Sequence, residues 1–200
     1  MKIGILISGR GSNMAAIADA VRSGEIPGAE VTVVVSDKRN AEGLQKAADR
    51  GIEAIAVTRA GRSREEHDRA IIEELQSRGV EMVCLAGYMR LLSTEFVSAF
   101  PQRVINIHPS LLPSFKGLDA QRQAFEYGVR ITGCTVHFVD EELDHGAIIA
   151  QRSVQVDDDD TAATVAAKVL AQEHALYVYA LRRLIIEGYR IEGRRVIFGS

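Results

Sequence analysis

Asparagine and histidine stand two residues apart at the end of an apolar run, in Asn106-Ile107-His108-Pro109. Residues two apart in a strand point to the same side, so the amide and the imidazole would face one bound atom. That pair suits an oxyanion stabiliser beside a general acid or base. Pro109 would end the strand, and open α/β sheets bind ligands at the carboxyl ends of their strands. We therefore predict that Asn106 and His108 form a catalytic pair.

An acidic segment, 140–146, provides carboxylates that could serve the same site. A carboxylate that approaches His108 would favour the imidazolium form and orient the ring. Spacing alone does not distinguish the four candidates from ordinary surface charge. They are Asp140, Glu141, Glu142 and Asp144.

A glycine-containing segment, Ser8-Gly9-Arg10-Gly11-Ser12-Asn13, lies between the first predicted strand and the first predicted helix. Glycines permit a tight turn, and the free N–H groups of a helix N-terminus favour an anion such as phosphate. A full dinucleotide fingerprint would need a third glycine at position 14, where this chain has Met14. The segment therefore predicts phosphate binding rather than NAD binding or a plain turn.

A carboxylate, Glu173, interrupts the apolar stripe of a long predicted helix. A buried carboxylate must be paired, protonated or coordinated. Its partner could be a substrate hydroxyl or amine, but an internal ion pair or a place at the surface edge is an equal alternative. His67 lies in a polar helix and is predicted to be exposed, whereas His137 is expected beside the site in a strand.

Short β-branched runs alternate with amphipathic segments, which predicts parallel βαβ units. The chain is expected to form an α/β, Rossmann-like open sheet, mostly parallel with helices on both faces and with antiparallel strands in the C-terminal half. Predicted strands in the first half cover residues 2–8, 30–36, 53–58, 82–86 and 103–107, and predicted helices cover 13–23, 41–50, 63–78 and 93–100. Later elements are a loop at 109–118, helices at 119–127 and 161–187, strands at 133–139 and 147–156, and a hairpin at 189–198.

Composition limits the possible classes of protein. The 200 residues suit one domain, 1–200, with a phosphate-binding βαβ part at 1–108 and a part made of loops, strands and the long C-terminal helix at 109–200. A net charge of −3 gives no basic excess for nucleic acid, and no apolar run reaches the ~18 residues of a membrane span. Cys84 and Cys134 lie in apolar runs, so neither a disulfide nor a zinc site is expected. The aspartates at 157–160 are predicted to form a solvated turn and helix N-cap rather than a metal site.

The chain resembles the phosphoribosylglycinamide formyltransferases, also called glycinamide ribonucleotide transformylases. The matching segments extend over essentially the whole chain and lie at 8–13, 87–90, 106–113, 133–138, 143–146 and 172–174. Two loops depart from the pattern. Lys116 stands where many members have proline, and His145 and Ala147 replace a commoner threonine and proline.

The resemblance implies that 10-formyltetrahydrofolate is the co-substrate and that glycinamide ribonucleotide is the acceptor, in purine synthesis, with no metal. The ribonucleotide would contact Gly11, Ser12 and Asn13 through its phosphate and Glu173 near its ribose. The catalytic residues would be Asn106, His108 and Asp144. The folate would contact Arg64, Met89, Arg90, Leu91, Leu92, Asn106, Asp140, Glu141, Glu142, Leu143 and Asp144. The expected protein is a cytoplasmic monomer or homodimer without a nucleic-acid or membrane partner.

Other functions remain open at this point. Methionyl-tRNA formylation and formyltetrahydrofolate hydrolysis use similar catalytic domains, but those enzymes carry further domains. A nucleotide-binding module without chemistry would leave Asn106, His108 and Glu173 unexplained. An NAD-dependent oxidoreductase, with Asp37 as the ribose ligand, is opposed by Met14.

Overall fold

The computed structural model describes residues 1–199, and in that part of the chain nine strands form one sheet. The strands are β1 (Lys2–Ile7), β2 (Glu30–Ser36), β3 (Glu53–Ala56), β4 (Met82–Leu85), β5 (Val104–His108), β6 (Ile131–Phe138), β7 (Ile148–Gln155), β8 (Tyr189–Glu192) and β9 (Arg195–Phe198). The helices are α1 (Ser12–Arg22), α2 (Glu42–Ala48), α3 (Arg64–Ser77), α4 (Thr94–Ala99), α5 (Ala120–Tyr127) and α6 (Ala162–Ile186).

The strand order is β3-β2-β1-β4-β5-β6-β7-β9-β8. Strands β1 to β5 pair in parallel, and β6 then pairs antiparallel with both β5 and β7. The terminal hairpin of β8 and β9 joins the sheet where β9 pairs in parallel with β7. The predicted fold class, a mostly parallel open sheet with antiparallel strands in the C-terminal half, is confirmed.

The direction of strand addition reverses between β1 and β4. From β1 the chain adds β2 and β3 on one side, and then crosses to add β4 and β5 on the other. Open α/β sheets bind ligands at such a switch, outside the carboxyl ends of the strands. The loops that follow β1 and β4 are joined there, because the Ser8 amide donates to the Gly87 carbonyl at 3.1 Å. The switch therefore brings the glycine-containing segment beside β5.

Helices cover both faces of the sheet with separate apolar clusters. On one face, Met14 and Ile17 of α1 and Leu181 of α6 pack against the strands, and on the other, Ile71 of α3 and Phe96 of α4 do so. Burial of this apolar area is the main stabilising contribution to such a fold. Helix α6 thus lies directly behind the carboxyl ends of the central strands.

Two expectations about local structure need correction. His67 is buried, with 1% of its surface exposed, because its Nε2 hydrogen bonds the Val57 carbonyl at 2.7 Å. The N-cap of α6 is Thr161, which forms a reciprocal capping box with Thr164, rather than an aspartate. Asp160 directly precedes this N-cap. A hydrogen bond from Lys168 lowers the pKa of the Asp160 carboxyl to about 2. Cys84 and Cys134 are free and buried, as expected.

Candidate active site

Strand β5 carries Asn106 and His108 into the centre of the site. Its antiparallel pairing with β6 aligns Asn106 with His137 and His108 with Thr135. Only the local alternation of a strand is needed to put Asn106 and His108 on one side, but the pairing adds His137 to the same side. The site is therefore built across the junction between the parallel and antiparallel parts of the sheet.

His108 is enclosed by two oxygen acceptors. It is 4% exposed, with Nδ1 3.3 Å from Asp144 Oδ2 and Nε2 2.8 Å from the Phe115 carbonyl. The Phe115 carbonyl can only accept, so Nε2 carries a proton and donates to it. The Nδ1 contact is an ion-pair distance that places the Asp144 carboxylate beside the ring.

Asp144 is the carboxylate of the acidic segment that reaches His108. Its Oδ2 also accepts a hydrogen bond from the Gly117 amide at 2.8 Å, which joins two loops. Its backbone adopts φ 46°, a left-handed conformation that non-glycine residues rarely occupy outside functional or tightly held sites. Glu141 and Glu142 are exposed, so Asp144 is separated from its acidic neighbours by geometry.

His137 is the second histidine of the site, and each of its ring nitrogens has a hydrogen-bond partner. Its Nδ1 lies 2.8 Å from the Phe138 carbonyl and must donate there, so Nε2 is left to accept from the Asn106 amide at 3.3 Å. Burial lowers the pKa of His137, which agrees with a neutral ring. Since the amide has two hydrogens, one bond to His137 orients the other hydrogen of Asn106 for a further acceptor.

The glycine-containing segment forms the predicted turn before α1. Gly11 is the N-cap residue, with φ 68°, and a Cβ at that position would lie 2.7 Å from the Gly43 Cα. Glycine is therefore required both by the backbone angle and by the close approach of α2. Met14, at the place of the missing third glycine, is fully buried in the core. The N–H groups that open α1 consequently face the cleft at the switch point, where an anion would be stabilised.

Glu173 joins that cleft from the opposite side. It is 6% exposed on α6, and its Oε2 accepts a hydrogen bond from Asn13 Nδ2 at 2.8 Å. Burial raises the pKa of the Glu173 carboxyl, and the Asn13 bond opposes that rise. Among residues 1–199, the buried Oδ1 of Asn13 has no hydrogen-bond partner. A ligand hydroxyl or amine would satisfy this oxygen, because an unpaired buried acceptor is costly.

Two cavities meet along β5. The larger, of about 720 Å³, contains the glycine-containing segment and Glu173, and Ile107 lines it from the sheet. The ribonucleotide residues expected from the sequence, Gly11, Ser12, Asn13 and Glu173, all line this cavity. Lys38 and Gln121 line it too, and the sequence had not singled them out. A lysine in a loop after a strand does not by itself predict a binding site. Only the fold places Lys38 in the same cavity as the glycine-containing segment.

The smaller cavity, of about 150 Å³, opens at Asn106 and Asp144. Its lining includes most of the expected folate residues, namely Arg64, Arg90, Leu91, Leu92, Asp140, Glu141, Glu142 and Leu143. Met89 instead lines the larger cavity and an adjoining one of about 260 Å³ that also contains Arg64 and Arg90. Arg90 is held in place by Asp37, whose Oδ2 lies 2.7 Å from its Nε. Among residues 1–199 the other carboxylate oxygen of Asp37, Oδ1, is buried without a hydrogen-bond partner.

Comparison with known proteins identifies the family of this chain. The model of the formyl transferase family, described as "Formyl transferase", matches residues 1–181. The chain belongs to this family. Phosphoribosylglycinamide formyltransferase of Escherichia coli (strain K12) is 46% identical over 178 residues, which cover 88% of this chain and 84% of that protein.

One solved structure and part of one larger protein are also similar to this chain. The crystal structure of glycinamide ribonucleotide transformylase 1 from Symbiobacterium toebii has a TM-score of 0.97 and 48% identity, covering 100% of this chain and 94% of that one. Trifunctional purine biosynthetic protein adenosine-3 of Gallus gallus is 45% identical over 183 residues, or 91% of this chain. This chain spans only 18% of that longer protein, so the match concerns one part of it.

Two searches of the described residues bear on other kinds of site. Within residues 1–199, no group of three or more His, Cys, Asp or Glu side chains is arranged to hold a metal ion. The same part of the chain contains no helix that is long and apolar enough to span a membrane.

Proposed function

We propose that this formyltransferase transfers the formyl group of 10-formyltetrahydrofolate to the amine of glycinamide ribonucleotide, in purine biosynthesis. One observation carries the proposal: adjacent residues of β5, Asn106 and Ile107, line two different cavities. The larger has an anion site and a buried carboxylate, which suit a phosphorylated sugar. The smaller suits a flat ring system beside the catalytic residues. A group transfer between two bound substrates needs such an arrangement.

The ribonucleotide would occupy the larger cavity with its phosphate at Gly11, Ser12 and Asn13. Glu173 would accept a hydrogen bond from a ribose hydroxyl, and the free Asn13 Oδ1 would accept another. Lys38, at the rim, adds a positive charge toward the phosphate. This orientation directs the glycinamide amine along β5 toward Asn106.

The folate would occupy the smaller cavity, with the formyl group at Asn106 and Asp144. Arg64, Arg90 and the apolar side chains of Met89, Leu91 and Leu92 would contact the rest of the molecule, opposite the segment 140–144. The exposed fractions of Met89 and Leu91, 61% and 56%, are large for apolar residues. Their exposure is explained if the folate covers them.

The reaction would begin when the neutral amine attacks the formyl carbon. A C–N bond forms, and the carbonyl electron pair moves to the formyl oxygen. The Asn106 hydrogen not bonded to His137 would donate to that oxygen, and a preorganised donor of this kind typically contributes about 10²–10³ in rate. No covalent bond to the enzyme is formed.

His108 would be the second donor to the developing oxyanion. In the structure its Nε2 is bonded to the Phe115 carbonyl, so donation to substrate requires an exchange of that acceptor. The Asp144 contact at Nδ1 would persist during this exchange and keep the ring oriented. Substrate binding would thus release Phe115 from His108.

Collapse of the tetrahedral intermediate breaks the bond from the formyl carbon to the folate nitrogen. The attacking amine loses a proton and the leaving folate nitrogen gains one, so the reaction is neutral in protons. Asp144 would assist this transfer, directly or through water, because its carboxylate contacts His108 and also lines the smaller cavity.

The decisive experiment mixes the protein with 10-formyltetrahydrofolate and follows the folate absorbance with and without glycinamide ribonucleotide. Deformylation that requires the ribonucleotide, with formylglycinamide ribonucleotide as product, is the expected result. Equal deformylation without the ribonucleotide would identify a hydrolase. No change in either mixture would contradict both substrates.

A further inference from the structure

His145 contacts two charged residues that the reaction itself does not use. Its Nδ1 lies 2.8 Å from Asp140 Oδ2, and its Nε2 is in contact with Nη1 of Arg194. The second terminal nitrogen of Arg194, Nη2, donates to the His145 carbonyl. Arg194 lies in the turn between β8 and β9, and the family model ends at residue 181. The pair therefore connects the C-terminal hairpin to the segment 140–146.

The direction of each hydrogen bond follows from the chemistry of arginine. A guanidinium group only donates, so His145 Nε2 must accept and its Nδ1 must carry the proton. That proton is then donated to Asp140 Oδ2. Asp140 Oδ1 in turn accepts from the Glu142 amide at 3.1 Å. The result is a chain of hydrogen bonds, Arg194 to His145 to Asp140 to the backbone of the segment.

This chain acts on the backbone next to Asp144. The Arg194 bond to the His145 carbonyl holds the His145–Gly146 peptide, one residue beyond Asp144, whose left-handed φ of 46° needs support from its surroundings. Gly146 adds a close contact, because a Cβ there would lie 1.9 Å from the Phe138 carbonyl oxygen. Arg194 and Gly146 thus hold the C-terminal end of the segment, and the His145 bond to Asp140 ties its first residue to that end.

Packing does not replace the Arg194 contacts. On that side of the segment lies a cavity of about 290 Å³, lined among others by Lys116, Asp144, His145 and Arg194. A segment that faces open space is held mainly by its hydrogen bonds, and without them it would sample other conformations. The other side of the segment lines the smaller cavity.

We propose that Arg194 and His145 are positioning residues that preorganise the segment 140–144 for folate. The inference rests on the proposed function, because it assigns these residues to the folate side of that site. Neither residue touches substrate. Loss of the Arg194 contacts lets the segment move, so part of the folate binding energy is used to order it. The ribonucleotide cavity lies on the other side of β5 and is unaffected.

Steady-state kinetics of Arg194→Ala test the proposal. We expect the KM for 10-formyltetrahydrofolate to rise about three- to tenfold, as for the loss of one or two hydrogen bonds, with the KM for the ribonucleotide unchanged. Arg195→Ala is the matched control, since Arg195 is the exposed next residue, and it should change neither constant. An unchanged folate KM in Arg194→Ala overturns the proposal.

A double-mutant cycle with His145→Ala separates the hydrogen-bond chain from general damage. Both single variants should raise the folate KM, and the double variant should be no worse than the worse single one. Additive losses, or equal increases in both KM values, would indicate independent structural effects and contradict the chain. Thermal unfolding of each variant checks that the fold is retained.

Amide hydrogen exchange provides a readout that does not depend on catalysis. Exchange at the Glu142 and Gly117 amides, which donate to Asp140 and Asp144, should be faster in Arg194→Ala than in the wild type. Unchanged exchange contradicts the positioning role. If exchange accelerates but the wild-type protein transfers no formyl group, the proposed function is contradicted, whereas the positioning of the segment by Arg194 and His145 is supported.

Discussion

Two histidines of the site have opposite hydrogen-bonding roles. Both nitrogens of His108 face oxygen acceptors, whereas His137 Nε2 receives an amide hydrogen from Asn106. Burial lowers the pKa of His137, which favours its neutral form, while Nδ1 of His108 lies 3.3 Å from the Asp144 carboxylate. One ring can therefore orient the amide while the other supplies a proton-bearing donor.

At the scale of the residue, Asn106→Ala tests the oxyanion role. We expect kcat to fall about 10²–10³-fold, because a preorganised donor is lost in the transition state. Initial rates with both substrates measure it. Asn40→Ala, at an exposed asparagine outside both cavities, should retain normal turnover. Near-normal turnover in Asn106→Ala would remove this residue from the mechanism.

Glu173→Gln tests the buried carboxylate through pH-dependent stability. The folded-state pKa of Glu173 is raised, so the ionised form destabilises the fold above that pKa, and the effect disappears below the unfolded value of about 4.5. The glutamine variant should therefore have a higher Tm than the wild type at pH 7, by about 2–4 °C for each 1 kcal/mol of destabilisation that is removed. At pH 4 the two proteins should have the same Tm.

Thermal unfolding between pH 4 and pH 7 measures this difference. A difference that stays constant across the range would show that ionisation of Glu173 is not its cause. In the same variant the KM for the ribonucleotide should rise while the KM for folate stays constant, because Glu173 lines only the larger of the two cavities described at β5.

At the scale of the element, the turn between β1 and α1 depends on its second glycine. Gly11 has a left-handed backbone and approaches Gly43, whereas a Cβ on Gly9 would meet nothing within 4 Å. The two glycines therefore have different reasons to be present. Strain at Gly11 would displace the N–H groups that open α1.

Gly11→Ala should destabilise the fold by about 1–3 kcal/mol, the usual cost of a strained backbone. It should also raise the KM for the ribonucleotide. Urea unfolding and steady-state kinetics measure the two effects. For comparison, Gly9→Ala should unfold at nearly the wild-type urea concentration. Equal stability of the two alanine variants would contradict the requirement for glycine at position 11.

At the scale of the whole molecule, α6 unites the two parts of the site. Tyr177 reaches across the core and donates to the carbonyl of Leu85 or Ile105, which lie 3.0 and 3.1 Å from its hydroxyl. These carbonyls belong to β4 and β5, and Glu173 lies one helical turn before Tyr177. The contact therefore joins α6, which carries Glu173, to the catalytic strand.

Tyr177→Phe should lower the free energy of unfolding by about 1 kcal/mol, because a buried hydrogen bond is lost while the ring still packs. Catalytic constants should change little, since the apolar packing of α6 retains its position. Chemical denaturation and steady-state kinetics test both expectations. A normal unfolding free energy would show that the hydroxyl contributes nothing to the union of α6 with the sheet.

Local pattern was sufficient for much of this protein. Alternation of β-branched and amphipathic runs predicted the strands, the helices and the open sheet, because those periodicities depend only on near neighbours in the chain. The same alternation placed Asn106 and His108 on one side of β5. Met14 weakened the prediction of a dinucleotide site at the glycine turn, and the structure places its side chain in the core.

Contacts between distant segments were decided only by the tertiary structure. Asp144 was indistinguishable by spacing from its acidic neighbours, and the antiparallel β6 and β7 bring it to His108. Glu173 finds its partner Asn13 across 160 positions, and His67 is buried because a carbonyl of the preceding loop meets its ring. Such partners depend on how loops and layers close in space, which residue spacing along the chain does not encode.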